Sequence, residues 1–393
     1  MAIYLDYNAT TPVDPRVLEE MLPFFGEMYG NAASRTHAFG WQAEEAVKTA
    51  RKRIAELIGC RPEEIVFTSG ATESINLALK GIADAYAAQG NHIITVATEH
   101  KAVLDTCAHL EKIGKRVTYL PVDAQGQIDL AELEAALTAS TILVAIMMAN
   151  NETGTVHPMT EIAEIVHRHG AILMSDATQA VGKLPVRVDD LGIDALAFSA
   201  HKMYGPKGVG GLYLRRRHPR VRPLPQLHGG GHERGFRSGT LNVPGIVGLG
   251  KAAEIARTEI EPEAKRQAAL RDQLEHTLRH VPGVSVNGPP DNRLPNVSNL
   301  SIRYVEADAL IMAMREVAVS TGSACTSASI EPSHVLRAMG LPDDDAYASI
   351  RFSLGRFTTA EDIEIATQHV IHAIDRLRKL NPEWQNFVAQ NGI

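Results

Sequence analysis

Residues 171–179 read Ala171-Ile172-Leu173-Met174-Ser175-Asp176-Ala177-Thr178-Gln179, and residues 195–202 read Ala195-Leu196-Ala197-Phe198-Ser199-Ala200-His201-Lys202. Each is a short apolar run that stops abruptly in polar residues. A continuous apolar run of this length is the pattern of a strand buried on both faces, as in a parallel sheet. Ile65-Val66-Phe67, Ile93-Ile94-Thr95-Val96 and residues 142–149 have the same form, and residues 209–214 add a strand after a glycine-rich turn. Amphipathic helical patterns lie between them, at 42–58, 74–89, 130–137 and 160–169. Strands alternating with helices predict an α/β fold with a mostly parallel central sheet.

The chain is 393 residues long, enough for two or three domains of ~150 residues. Its texture changes near residue 259, where a charged stretch contains Pro262. Beyond it come a polar helix pattern at 265–280, a Pro/Gly/Asn loop at 282–295, a strand at 298–303 and a last helix at about 360–380. Thr359-x-x-Asp362 has the form of a capping box opening that helix. A boundary is placed near residue 259, separating a large domain (15–258) from a smaller α+β domain (259–393, joined by 1–14).

In open α/β sheets the ligand lies beyond the carboxyl ends of the strands. Five runs here end in polar clusters: residues 68–72 (Thr-Ser-Gly-Ala-Thr), Glu99-His100, Asn150-Asn151-Glu152, residues 175–179 and residues 199–202. Five clusters on one edge describe a pocket. Ser69-Gly70-Ala71-Thr72 leads into a helix whose N–H groups and dipole suit a phosphate, although N-cap chemistry accounts for it equally well. Neither GxxxxGK[ST] nor a complete GxGxxG is present, which weighs against nucleotides. Asp176 on a buried edge needs a positive partner; it reads either as a cap or salt bridge, or as the partner of a protonated pyridine nitrogen. Lys202 at a buried strand end can be desolvated and act as a nucleophile. Phosphate site, carboxylate and lysine together are what pyridoxal phosphate requires.

The motifs Tyr4-Leu-Asp-Tyr-Asn-Ala-Thr-Thr11, Phe67-Thr-Ser-Gly-Ala-Thr-Glu-Ser74, Thr98-Glu-His-Lys101, Asn150-Asn-Glu-Thr-Gly154, Asp176-Ala-Thr-Gln179, Ser199-Ala-His-Lys202, Arg237-Ser-Gly-Thr240 and Ser323-Ala-Cys-Thr-Ser327 resemble those of cysteine desulfurases. These are pyridoxal-phosphate enzymes of fold type I, in the class V aminotransferase group, with helices on both faces of the sheet. The Cys325 segment resembles the group I subtype that serves iron–sulfur cluster assembly. The resemblance implies that Lys202 holds the cofactor and moves protons, Asp176 pairs with the ring nitrogen, and His100 stacks on the ring and handles a substrate proton. It gives Gln179 and Asn151 contacts to ring oxygen and substrate, and Ala71, Thr72, Ser199 and His201 to the phosphate. Thr240 would reach the phosphate of a neighbouring subunit, implying a homodimer. Arg351 would grip the carboxylate of L-cysteine, Cys325 would take the sulfur as a persulfide, and a scaffold protein or other acceptor would remove it.

Two features support that reading independently. Cys325 lies among small polar residues (320–329), a composition suited to a loop rather than to a core. In Ser349-Ile-Arg-Phe-Ser-Leu354 the alternation places Ile350, Phe352 and Leu354 on one face and Arg351 on the other, suited to a bidentate carboxylate grip. Cys60 and Cys107 read as core residues.

The net charge of −7 (39 Lys+Arg against 46 Asp+Glu) leaves no global nucleic-acid footprint, and 45% hydrophobic residues exclude disorder as the main state. Without a membrane-length apolar run or a signal-peptide pattern, and with three cysteines and no CxxC, the expectation is a cytoplasmic protein without an intrinsic metal site. The neighbouring readings are an aminotransferase or a selenocysteine lyase on the same cofactor. His228-Gly-Gly-Gly231 prompts an esterase, which lacks its G-x-S-x-G elbow. His167/His169 and His228/His232 prompt a carrier, without a third ligand. Arg215, Arg216, Arg217, Arg220 and Arg222 read as a solvated basic turn, and the tail at 381–393 as a docking segment.

Overall fold

A computed structural model describes residues 2–321 and 332–391. Twelve strands are present among them: β1 Ile3–Tyr4, β2 Ile65–Thr68, β3 His92–Val96, β4 Arg116–Leu120, β5 Thr141–Ala145, β6 Ile172–Asp176, β7 Ala195–Ser199, β8 Gly210–Leu214, β9 Val284–Asn287, β10 Val297–Ile302, β11 Val317–Ala318 and β12 Ser349–Ser353. Seven of them form one sheet in the order β2-β8-β7-β6-β5-β3-β4. Only β8 runs against its neighbours, so the other six all end at the same edge.

Residue parity separates the two faces of this sheet. Phe67, Val96, Val144, Leu173, Leu196, Phe198 and Tyr213 point into one core, which the helices Ala38–Ile58, Met159–Arg168 and the first half of Val243–Arg279 cover. Val66, Ile93, Leu143, Met174, Ala197 and Leu212 point into a second core under the helices Ala71–Ala85 and Lys101–Lys112. Strands buried on both faces explain why the sequence runs were continuous rather than alternating.

A third core joins β1, the antiparallel set β12-β10-β9, and the helices Ala307–Ala313 and Ala360–Arg378. The 37-residue helix Val243–Arg279 passes through residue 259 and Pro262 unbroken. It gives Ile246 and Leu249 to the first core and Leu270, Leu274 and Leu278 to the third. The textural change near 259 therefore marks where one rod passes between cores.

The local structure corrects several expectations and bears out others. The run 142–149 is a regular strand only to Ala145; beyond it Ile146 and Met148 donate to Met174 and Asp176 carbonyls before the chain turns away. The 282–295 loop contains β9. The edge strand β4 was not anticipated, because Arg116-Val-Thr-Tyr-Leu120 is half exposed and lacks a buried strand's apolar run. Arg215 is not part of a solvated turn: it turns inward to Asp189 and Asp194, 2.9 and 3.0 Å away. The segment after 381 is the helix Pro382–Asn391, with Trp384 and Phe387 packed on Tyr304 and Arg378 over the Trp384 ring. The Thr359/Asp362 capping box forms in both directions. Cys107 is buried in the second core, and Cys60 packs partly buried against the first.

Candidate active site

Five of the six co-directional strands (β2, β3, β5, β6 and β7) lead into polar clusters at one edge of the sheet. Asp176 ends β6 and is buried, only 7% exposed. Its carboxylate accepts twice from Thr178, both times at Oδ1, and no lysine or arginine pairs with it among the described residues. A buried carboxylate without a cation is costly unless a charged partner arrives. Glu99, fully buried, faces the same charge. Its Oε1 accepts from the Met147 N–H, its Oε2 has no partner among the described residues, and burial followed by the charge of Asp176 raises its pKa well above the usual carboxylate value.

Lys202 closes a short 3-10 turn after β7, and its ammonium donates to the carbonyls of Asn8 (2.6 Å) and Ala9 (2.7 Å). Beside it, His201 Nδ1 lies 3.1 Å from Thr10 Oγ1, and burial together with the Lys202 charge lowers the imidazole pKa to about 4. The residues around Lys202 thus come largely from the N-terminal segment.

Asn8 is the hub of this arrangement. Its carbonyl accepts from Lys202 and from Gln179 Nε2 (3.0 Å), its Nδ2 donates to the Asn151 carbonyl (3.0 Å), and its N–H donates to Ser353 Oγ (2.9 Å). The same Asn151 carbonyl also accepts from Arg351 (3.1 Å). Arg351 points away from the third core, where Ile350, Phe352 and Leu354 are buried, as the alternation predicts. It pairs with Asp6 at 2.8 Å, and its buried Nε has no partner among the described residues. Lys202, Gln179, Asn151 and Arg351 are thereby joined in one network. The sequence pattern offered no signal for the hub role of Asn8; the motif around it was only a resemblance.

His100 caps the helix Lys101–Lys112, its Nδ1 accepting the Ala102 N–H at 3.1 Å. A neutral His100 consequently carries its proton on Nε2. Ala71 and Thr72 open the helix Ala71–Ala85, whose cap is Gly70, with no side chain to occupy the first N–H groups. The side-chain cap that could have explained this stretch is absent, which favours an anion there. A Cβ at Gly70 would stand 3.8 Å from Ser199 Oγ, so Ser199 flanks the same turn. A Cβ at Gly210 would meet Gly70 Cα at 2.6 Å, so only glycine lets β8 pass behind the turn. Thr240 is exposed, just before the helix Val243–Arg279. Cys325 lies outside the described residues.

This donor set fits pyridoxal phosphate: an amine at a strand end, a buried carboxylate without a cation, and an uncapped helix start flanked by Ser199. Asp176, Lys202, Gln179, His100, Ala71, Thr72, Ser199 and His201 are the residues that would hold it.

Comparison with known proteins agrees. The aminotransferase class-V family matches residues 3–365. A cysteine desulfurase IscS from Anaeromyxobacter sp. (strain Fw109-5) is 57% identical over 384 residues, covering 98% of this chain and 95% of that protein. The one from Escherichia coli O139:H28 is 56% identical over 389 residues, covering 98% and 96%. Among solved structures, a NifS-like protein superposes with a TM-score of 0.89 at 40% identity, covering 95% of this chain and all (100%) of that one. A structure described as SspA in complex with cysteine gives 0.80 at 40% identity, covering 91% and 99%. The chain belongs to the class-V aminotransferase family, among its cysteine desulfurases.

Proposed function

We propose that this protein converts L-cysteine to L-alanine and passes the sulfur to Cys325 as a persulfide, for iron–sulfur scaffolds or other acceptors. The observation that carries this reading is the network through Asn8, which ties Lys202, the proposed cofactor amine, to Arg351, the proposed carboxylate grip. When bound, pyridoxal phosphate delocalises the charge left as the substrate Cα loses its proton. Asp176 keeps the ring nitrogen protonated, Lys202 Nζ accepts the Cα proton, and Arg351 orients the substrate through its carboxylate. The Cys325 thiolate attacks the substrate sulfur; an S–S bond forms, the C–S bond breaks, and its electron pair stays on carbon, which is protonated and leaves as alanine.

Under the same reading residues 15–258 form the large domain, and 1–14 with 259–393 the small one; Ile3 and Leu5 lie in the third core. A homodimer is supported by the exposed Thr240 and by exposed Leu22, Phe25, Tyr29 and Trp41 near the N-terminus. A cytoplasmic location agrees with the unpaired thiols of Cys60 and Cys107. No described helix is long and apolar enough to cross a membrane.

The test is incubation of the pyridoxal-phosphate-loaded protein with L-cysteine, with alanine quantified and Cys325 examined by mass spectrometry. One added sulfur on Cys325 is expected. Cys325→Ala should lose sulfide release yet keep the cofactor's visible band; undiminished release in that variant would overturn the assignment. Alanine formed with Cys325 unmodified would favour a lyase.

A further inference from the structure

Neither the strand-end pattern nor the family motifs single out Lys183, yet its amine reaches the middle of the network. Its Nζ donates to Gln179 Oε1 at 2.5 Å and to Asn8 Oδ1 at 2.8 Å. An ammonium has three hydrogens and no acceptor, and even a neutral amine offers two hydrogens, the number these two oxygens take. Because Nζ donates to both oxygens, the contact sets which way the two amides face. With its oxygen on Lys183, Gln179 turns Nε2 to the Asn8 carbonyl, 3.0 Å away. Asn8 likewise turns Nδ2 to the Asn151 carbonyl, while Asn296 Nδ2 donates to Asn8 Oδ1 at 3.1 Å in the same sense. An amide group without such a neighbour can flip, because its two ends have the same shape.

We propose that Lys183 is a positioning residue that holds the oxygens of Gln179 and Asn8 towards itself, so that Gln179 presents an N–H, not a carbonyl, to the ring oxygen of the cofactor. This rests on the pyridoxal phosphate reading above. Gln179 spends one amide hydrogen on Asn8 and keeps the other for that acceptor. The charged and titratable groups around Lys183 are Lys202, Arg351 with its Asp6, and His201. Burial, then Lys202 and Arg351, draw the Lys183 pKa well below the usual lysine value, and the two amide oxygens are the contacts that hold its hydrogens in place.

The experiment follows the visible band of the bound cofactor against pH in the unsubstituted protein, Lys183→Met and Lys183→Arg. Losing an N–H at the ring oxygen favours the protonated form of the bound cofactor. The midpoint in Lys183→Met should therefore rise by roughly one pH unit, and Lys183→Arg, which still only donates, should restore it. A role confined to packing would lower the melting temperature without moving the midpoint, and an unmoved midpoint in Lys183→Met overturns the proposal. Neutron diffraction from the unsubstituted protein needs no variant to fold: the Gln179 oxygen is expected on Lys183, and its nitrogen there overturns the proposal. Absence of any visible band in the unsubstituted protein counts against the cofactor reading instead, and the diffraction result still decides the amide orientation.

Discussion

Arg351 and Asp6 form an ion pair at 2.8 Å that uses one terminal guanidinium nitrogen, while the other nitrogen donates to the Asn151 carbonyl at 3.1 Å. The arginine is thus aimed before any ligand arrives, and its buried Nε still lacks an acceptor among the described residues. Lysine at this position would keep the charge but lose the planar fork. Arg351→Lys should raise the KM for L-cysteine about tenfold or more, with a smaller change in kcat. Steady-state kinetics decide it; an unchanged KM would remove Arg351 from the carboxylate site.

The amine of Lys202 is held by two carbonyls of the N-terminal segment. Borohydride reduction of the cofactor-loaded protein, followed by peptide mapping, should place the label on Lys202. Lys202→Ala should yield no labelled peptide and lose activity by at least roughly a thousandfold. A label on Lys183 in the unsubstituted protein would contradict this assignment.

Glu99 is buried beside Asp176, and its pKa is raised. A carboxyl group whose folded pKa exceeds its unfolded value favours folding while protonated, and that contribution fades as pH rises from the unfolded value through the folded one. Glu99→Gln keeps an acceptor for the Met147 N–H and carries no charge at any pH. Its melting temperature should match that of the unsubstituted protein near pH 5 and exceed it near pH 8. Parallel curves across that range would show that Glu99 is ionised in the folded state.

Arg356 binds Asp14 at 2.6 Å, pairs with Glu263 and lies 4.2 Å above the Tyr204 ring. It fastens the end of β12 to the N-terminal segment and to the long helix. Removing one member of such a buried set leaves the others uncompensated, so Arg356→Met should cost about 3–5 kcal/mol in denaturant unfolding. Arg16 first, and then Arg356, hold the Asp14 carboxyl well below its usual range. That stabilisation is full above the unfolded value of ~3.9 and is lost as pH falls through the lower folded one. The difference between variant and parent should therefore narrow below about pH 4.

The strand-end clusters were legible because a doubly buried strand must be apolar until it leaves the sheet, so the break in composition marks the edge. Arg351 was legible for a related reason: period-two alternation is imposed by the pleat. The hub Asn8 was not, because its importance comes from contacts across 143 to 345 positions; Lys183 lies four positions from Gln179, but the contact that places it in the network reaches Asn8 across 175 positions. No local pattern encodes such partners. The edge strand β4 escaped because a strand with one open face need not be apolar. The helix through residue 259 escaped because Pro262 and a run of charges imitate a linker when the partners on either side are unknown.

The bond from the Asn8 N–H to Ser353 Oγ spans 345 positions. Residues 8 to 353 must therefore all be synthesised before this part of the network around Lys202 can close. The sheet and its helices can mature earlier, leaving a half-built cleft. The cleft around Lys202 is thus finished by a clasp between segments made at opposite ends of the order of synthesis.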